Sequence, residues 1–167
     1  MSLEAFETHS FTQNPLDIVE EIVNANEWAF DRASNEEMLV EVSGRWCTYR
    51  MFFYWQHEIS AMQFSCQYDM HVPPNRLSAV YELLAIINER LWLGHVDVDA
   101  EDQVPMFRQT ILLRGAQSAS VEQMEDLVDI ALTECERLYP AFQFVIWGGK
   151  SAREAVAAAI LDTVAEA

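Results

Sequence analysis

Residues 45–68 constrain the fold more than any other stretch, because they alternate with the two-residue period of a β-hairpin. From Trp46 to Trp55 almost every residue is aromatic, β-branched or otherwise apolar, and from Ile59 to Tyr68 such residues alternate with polar ones. Gln56 and His57 separate the runs and predict a two-residue turn. That turn sets Cys47 opposite Cys66, Tyr49 opposite Phe64, Met51 opposite Met62 and Phe53 opposite Ser60, so one face is apolar and needs a covering layer. The other face pairs Trp46 with Gln67, Thr48 with Ser65, Arg50 with Gln63 and Phe52 with Ala61. Its mixed chemistry suits a protein partner bound by Trp46, Arg50, Phe52 and Tyr54 with Gln63 and Ser65 beside them. It equally suits a cover, either the first helix or a dimer mate.

The flanking elements follow from caps and periodicity. Asn14, Pro15 and Asp17 form an N-cap, an N1 proline and an acid at N3, opening a helix with the apolar stripe Leu16, Ile18, Val19, Ile22 and Val23 that Asn26 ends. Alternation around Phe30 and around Val40 predicts two strands, which Gly44 connects tightly to the hairpin in a four-stranded meander. Two prolines at 73 and 74 break the sheet, and Leu77, Val80, Tyr81, Leu84, Ile87 and Leu91 predict a largely buried second helix. Strands follow around Val96 and over residues 104–114. Ser120 and Gln123 open the longest helix with a capping box. Its seam of Val121, Met124, Val128, Ala131, Cys135, Leu138, Phe142 and Val145 is heptad-like, either core or a dimer contact. Pro140 predicts a kink or break near residues 136–139, and Gly148 and Gly149 a stop. Ser151 with Glu154 opens a last alanine-rich helix to about Thr163. The expected fold is α+β, an antiparallel sheet of five to six strands in the order α-β-β-β-β-α-β-β-α with an extra C-terminal helix. A single domain spans residues 14–167 behind a flexible segment of residues 1–13.

Charge and cysteine content narrow the function classes. The 167-residue chain carries 27 acidic side chains against ten basic ones, nine of them arginine, for a net charge of −17. Such a surface repels phosphate backbones, which excludes nucleic acid as a partner. No apolar run approaches the ~20 residues of a membrane span, and the first 13 residues carry no secretion signal, so a cytoplasmic location is expected. Three cysteines without zinc-like spacing predict reduced, buried thiols, with Cys47 and Cys66 the one pair to check.

Candidate chemical motifs fail on detail. Gly149-Lys150-Ser151 lacks the glycine that a phosphate-binding loop requires at position 144, where Phe144 stands. Asp97, Asp99 and Glu101 lack the glycine and the final glutamate of a calcium loop, since Asp102 and Arg108 stand there. His9, His57, His71 and His95 occupy no metal or nucleophile signature. No catalytic residue, metal or cofactor is expected, and a hydrolase built on His95 and Asp97 is the weakest alternative.

Several words in the chain resemble the YbjN family: Asn14-Pro15-Leu16, Arg45-Trp46, the run from Asn88 to His95, Tyr139-Pro140-Ala141-Phe142 and Trp147-Gly148-Gly149-Lys150-Ser151. The resemblance spans residues 15–163. It implies a fold similar to the type III secretion chaperones, commonly dimeric, in a family described as bacterial sensory transduction regulators. It supplies no catalytic motif, and the helix after Gly149 exceeds the minimal chaperone layout. The expected function is a non-enzymatic, chaperone-like homodimeric regulator that binds a protein partner or an unstructured segment. The alternative is a small-molecule sensor with a pocket between the sheet and the helix of residues 77–91.

Overall fold

The buried hydroxyl of Thr12 donates to the Ala116 carbonyl at 2.8 Å and lies 3.1 Å from that of Leu113. Gln13 N–H donates to Gln117 O at 2.7 Å. Thr12 and Gln13 are therefore hydrogen-bonded to residues 113–117. The computed structural model describes residues 12–165, with side chains through Ala159, so the rest of the expected flexible segment lies outside the described residues.

The order of elements is α1 (Leu16–Ala25), β1 (Ala29–Asp31), β2 (Glu37–Ser43), β3 (Thr48–Gln56), β4 (Ala61–Gln67), α2 (Leu77–Arg90), β5 (His95–Val98), β6 (Pro105–Leu112), α3 (Val121–Ile146) and α4 (Ala152–Ala165). This is the expected α+β succession. Six antiparallel strands lie in the order β1-β2-β3-β4-β6-β5. Asn14 caps α1 by accepting the Leu16 N–H at 3.0 Å, and Ser120 and Gln123 form the complete capping box of α3.

Among the described residues, one face of the sheet carries all the helices. Met38, Val40 and Val42 of β2, Tyr49, Met51, Phe53 and Trp55 of β3, and Met62, Phe64 and Cys66 of β4 form one buried cluster with Leu16 and Val19 of α1, Leu83 and Ile87 of α2, and Met124 and Phe142 of α3. The alternation along β2 and β3 thus becomes an inner apolar layer and an outer layer without a helix. Tyr81, expected in the α2 stripe, is 54% exposed, because Val80, Leu83, Leu84 and Ile87 already fill the inward face.

Two expectations are corrected here. The hairpin register is displaced by four residues: Met51 faces Cys66, Phe53 faces Phe64, and Gln56 faces Ala61. The connection is a four-residue loop, a 3-10 turn at His57–Ile59 followed by Ser60 in the left-handed conformation. An even displacement keeps inner residues opposite inner residues, so the faces survive while the partners change. Helix α3 also runs through Pro140 without a break. Proline costs a helix interior about 3 kcal/mol, and here burial of Tyr139, Ala141, Phe142, Val145 and Ile146 outweighs that cost. The buried Tyr68 hydroxyl adds a strut from β4, donating to the Cys135 carbonyl at 2.8 Å.

Candidate protein-binding face

Five of the six expected contact residues share the outer face, on which no helix of the described residues packs. Cross-strand pairing aligns Asp31, Leu39, Phe52, Ser65, Arg108 and His95 in one row, and Glu37, Tyr54, Gln63 and Thr110 in the next. Arg50 pairs with Glu41 and Gln67 instead of Gln63, and its guanidinium lies 5.4 Å from the Phe52 ring centre. Tyr54 is 36% exposed and Phe52 half-buried. Between β1, β2 and β3 the face dips into a depression of about 360 Å³, lined by Asp31, Glu37, Leu39, Phe52 and Tyr54. Its floor is apolar, and carboxylates rim it.

Trp46 is the exception. Strand β3 begins at Thr48, so the preceding loop turns Trp46 away from that face and onto α3, where it stacks on Tyr139 at 5.6 Å and 4° between planes. Tyr139 also approaches Tyr68 at 6.1 Å and Trp147 at 6.4 Å. Three of the words that carry the family resemblance therefore meet in one aromatic cluster. Gly44 makes this loop possible, because a Cβ there would lie 2.3 Å from both Glu136 Oε1 and the Tyr49 ring. Glu136 Oε1 instead accepts the Arg45 N–H at 2.5 Å.

Most of the α3 seam faces the core: Val128, Cys135 and Phe142 are buried and Leu138 is half-buried against the same core, whereas Val121 at its start is exposed. Cys66 meets Cys135 and not Cys47, which the shifted register moves away from it. All three thiols are free. The hydrogen bond with Cys135, together with burial, holds the Cys66 thiol well above its usual range, and burial raises Cys47. The inner face of α2 is filled, so the depression beside this helix opens towards α4 rather than between α2 and the sheet.

Burial also pushes the phenols of Tyr49 and Tyr68 well above the ordinary tyrosine range. An unfolded tyrosine ionises near pH ~10. Above that pH the folded state retains protons that the unfolded state has lost, so this contribution to stability is intact below about pH 10 and falls as pH rises further. Tyrosinate absorbance from these two residues is expected only together with unfolding. Their ionisation in a protein whose near-UV circular dichroism is still native would contradict it.

Two residues important to this geometry escaped sequence reasoning. Asn88 bridges Val96, donating to its carbonyl at 3.0 Å and accepting its N–H at 2.7 Å, which pins β5 to α2. Arg76 donates to the Val145 and Lys150 carbonyls, both at 2.8 Å, and so caps the C-terminal end of α3. At the acidic turn Asp97 pairs with Arg108 at 3.2 Å, and Asp99 accepts the Asp102 N–H. Among the described residues no group of three or more His, Cys, Asp or Glu side chains is placed to hold a metal, and no helix is long and apolar enough to cross a membrane.

The family model described as YbjN, "Putative bacterial sensory transduction regulator", matches residues 15–144. The chain belongs to the YbjN family. The match covers α1 to all but the last two residues of α3 and leaves α4 outside it. A solved relative is similar in fold, titled "Crystal structure of YbjN, a putative transcription regulator from E. coli", with a TM-score of 0.50, 13% identity, and coverage of 71% of this chain and 84% of that one. No curated protein matches the chain.

Proposed function

We propose that this YbjN-family protein is a non-enzymatic, chaperone-like regulator that binds an extended protein segment on the outer face of its sheet. The observation that carries this reading is the depression at Leu39, Phe52 and Tyr54 on a sheet whose helices all lie on the opposite side. Asp31 and Glu37 on its rim, within a chain of net charge −17, select a segment with aromatic or aliphatic anchors flanked by lysine or arginine. Arg50 and Gln63 flank the anchors, and Ser65 faces Phe52 across the strand pair.

The test is selection from a displayed peptide library against the wild-type protein and a Phe52→Ala/Tyr54→Ala variant. The wild type is expected to enrich basic peptides with apolar anchors, and the variant to lose them by about tenfold or more, as for central aromatic contacts. Each lost cross-strand pair lowers stability by about 1 kcal/mol or less, so the variant stays folded. Enrichment that survives the double substitution removes the site. Burial of Val128, Cys135 and Phe142 within the protomer supports a homodimer contact, where one forms, on another surface. Light scattering on the wild type and the variant tests that arrangement: a dimer that dissociates only in the variant makes a second copy the occupant.

A further inference from the structure

Helix α4 lies beyond the family match and packs on α2, and the groove it creates combines arginine with aliphatic side chains. Ile86 and Arg90 of α2 face Arg153, Val156 and Ala157 of α4 around a depression of about 380 Å³. The volume is at the lower end of the ~300–1,000 Å³ of small-molecule sites. Only ten basic side chains offset 27 acidic ones in the whole chain, yet two arginines line this depression beside an aliphatic floor. Several other basic side chains are engaged: Arg32 with Asp17 and Glu20, Arg108 with Asp97, Arg137 with Glu134, and Arg76 with two carbonyls. No ion pair joins Arg90 or Arg153 to a carboxylate among the described residues.

We infer that the α2–α4 groove binds a small amphiphilic carboxylate, with the carboxylate between Arg90 and Arg153 and the aliphatic chain along Ile86 and Val156. Guanidinium forks match carboxylate oxygens in geometry and charge. Burying the chain against the helices supplies the apolar contribution, and neither part suffices alone at a site this open. The inference is independent of the outer-face proposal, because the two sites share no residue.

The test is calorimetric titration of the full chain with decanoate, with decanol matching the chain and acetate the head group, beside the Arg90→Gln, Arg153→Gln and double variants. Saturable one-to-one binding of decanoate is expected, weakening as salt rises. Each glutamine variant should lose about tenfold in affinity, the scale of one charge-assisted hydrogen bond, with an unchanged melting temperature because both residues are exposed. Amide chemical-shift changes should cluster at residues 86–90 and 153–157. Absence of decanoate binding, equal binding of decanol, full competition by acetate, unchanged affinity in the double variant, or shift changes confined elsewhere would each overturn the inference.

Discussion

Phe142→Ala is expected to lower the stability of the folded chain by about 3–5 kcal/mol, the usual cost of emptying a buried phenylalanine site. Phe142 has no exposed surface and packs at 5.1 Å against Tyr68, whose hydroxyl holds the Cys135 carbonyl of the same helix. The cavity would open where β4 meets α3, and flanking helix backbone leaves little room for collapse. Domains of this size hold only about 5–15 kcal/mol in total, so the variant should unfold at a much lower urea concentration. The dependence on protein concentration separates the two readings of the α3 seam. A core residue gives a destabilisation that is the same at every protein concentration, whereas an intersubunit contact gives a loss that grows on dilution. An urea midpoint for Phe142→Ala within error of the wild type, or one that falls only on dilution, would contradict the core assignment.

Gly94→Ala is the second large effect. Gly94 turns the chain from α2 into β5 with φ of +68°, and a Cβ there would lie 2.3 Å from the Phe107 ring and 2.9 Å from the Arg108 carbonyl. The left-handed backbone costs a non-glycine residue about 1–2 kcal/mol, and overpacking against a fully buried ring adds about 1–3 kcal/mol. The carbonyl belongs to the β5–β6 ladder and cannot withdraw without breaking it. Thermal melts should show a clearly larger loss for Gly94→Ala than for Gly115→Ala, which should show only the few degrees of the backbone cost. Gly115 also has a positive φ, but nothing lies within 4 Å of its added Cβ, so it isolates the backbone cost from the steric one. Equal losses at the two positions would show that the close contact with Phe107 is not what fixes Gly94.

The order of elements and the identity of the inner face were legible because both follow from period-two and period-3.6 patterns, which any register displaced by an even number preserves. The register itself was misread although the chain carried a warning. Residues 56–60 contain no glycine, asparagine or aspartate, the residues that a two-residue hairpin turn requires. The chain therefore takes the longer loop, which exposes Ile59 and puts Ser60 in the left-handed region. Pro140 misled in the opposite direction, since local propensity pointed to a break and the packing of five neighbouring buried residues maintained the helix. Placement on the outer face was legible for positions on regular strands, as at Arg50, Phe52, Tyr54, Gln63 and Ser65. It was not legible at Trp46, because parity along a strand says nothing about a side chain one step outside it. Nor could periodicity bring Arg90 and Arg153 together, since their proximity depends on how α4 folds back on α2.

Site-resolved mapping of a library-selected basic peptide on the labelled wild-type protein tests the central claim most directly. Amide and side-chain shift changes should centre on Asp31, Leu39, Phe52, Tyr54 and Gln63, with little change at Tyr139 or Trp147. Changes centred on the Trp46, Tyr139 and Trp147 cluster, with the outer face silent, would contradict the claim and move the binding surface to the end of α3.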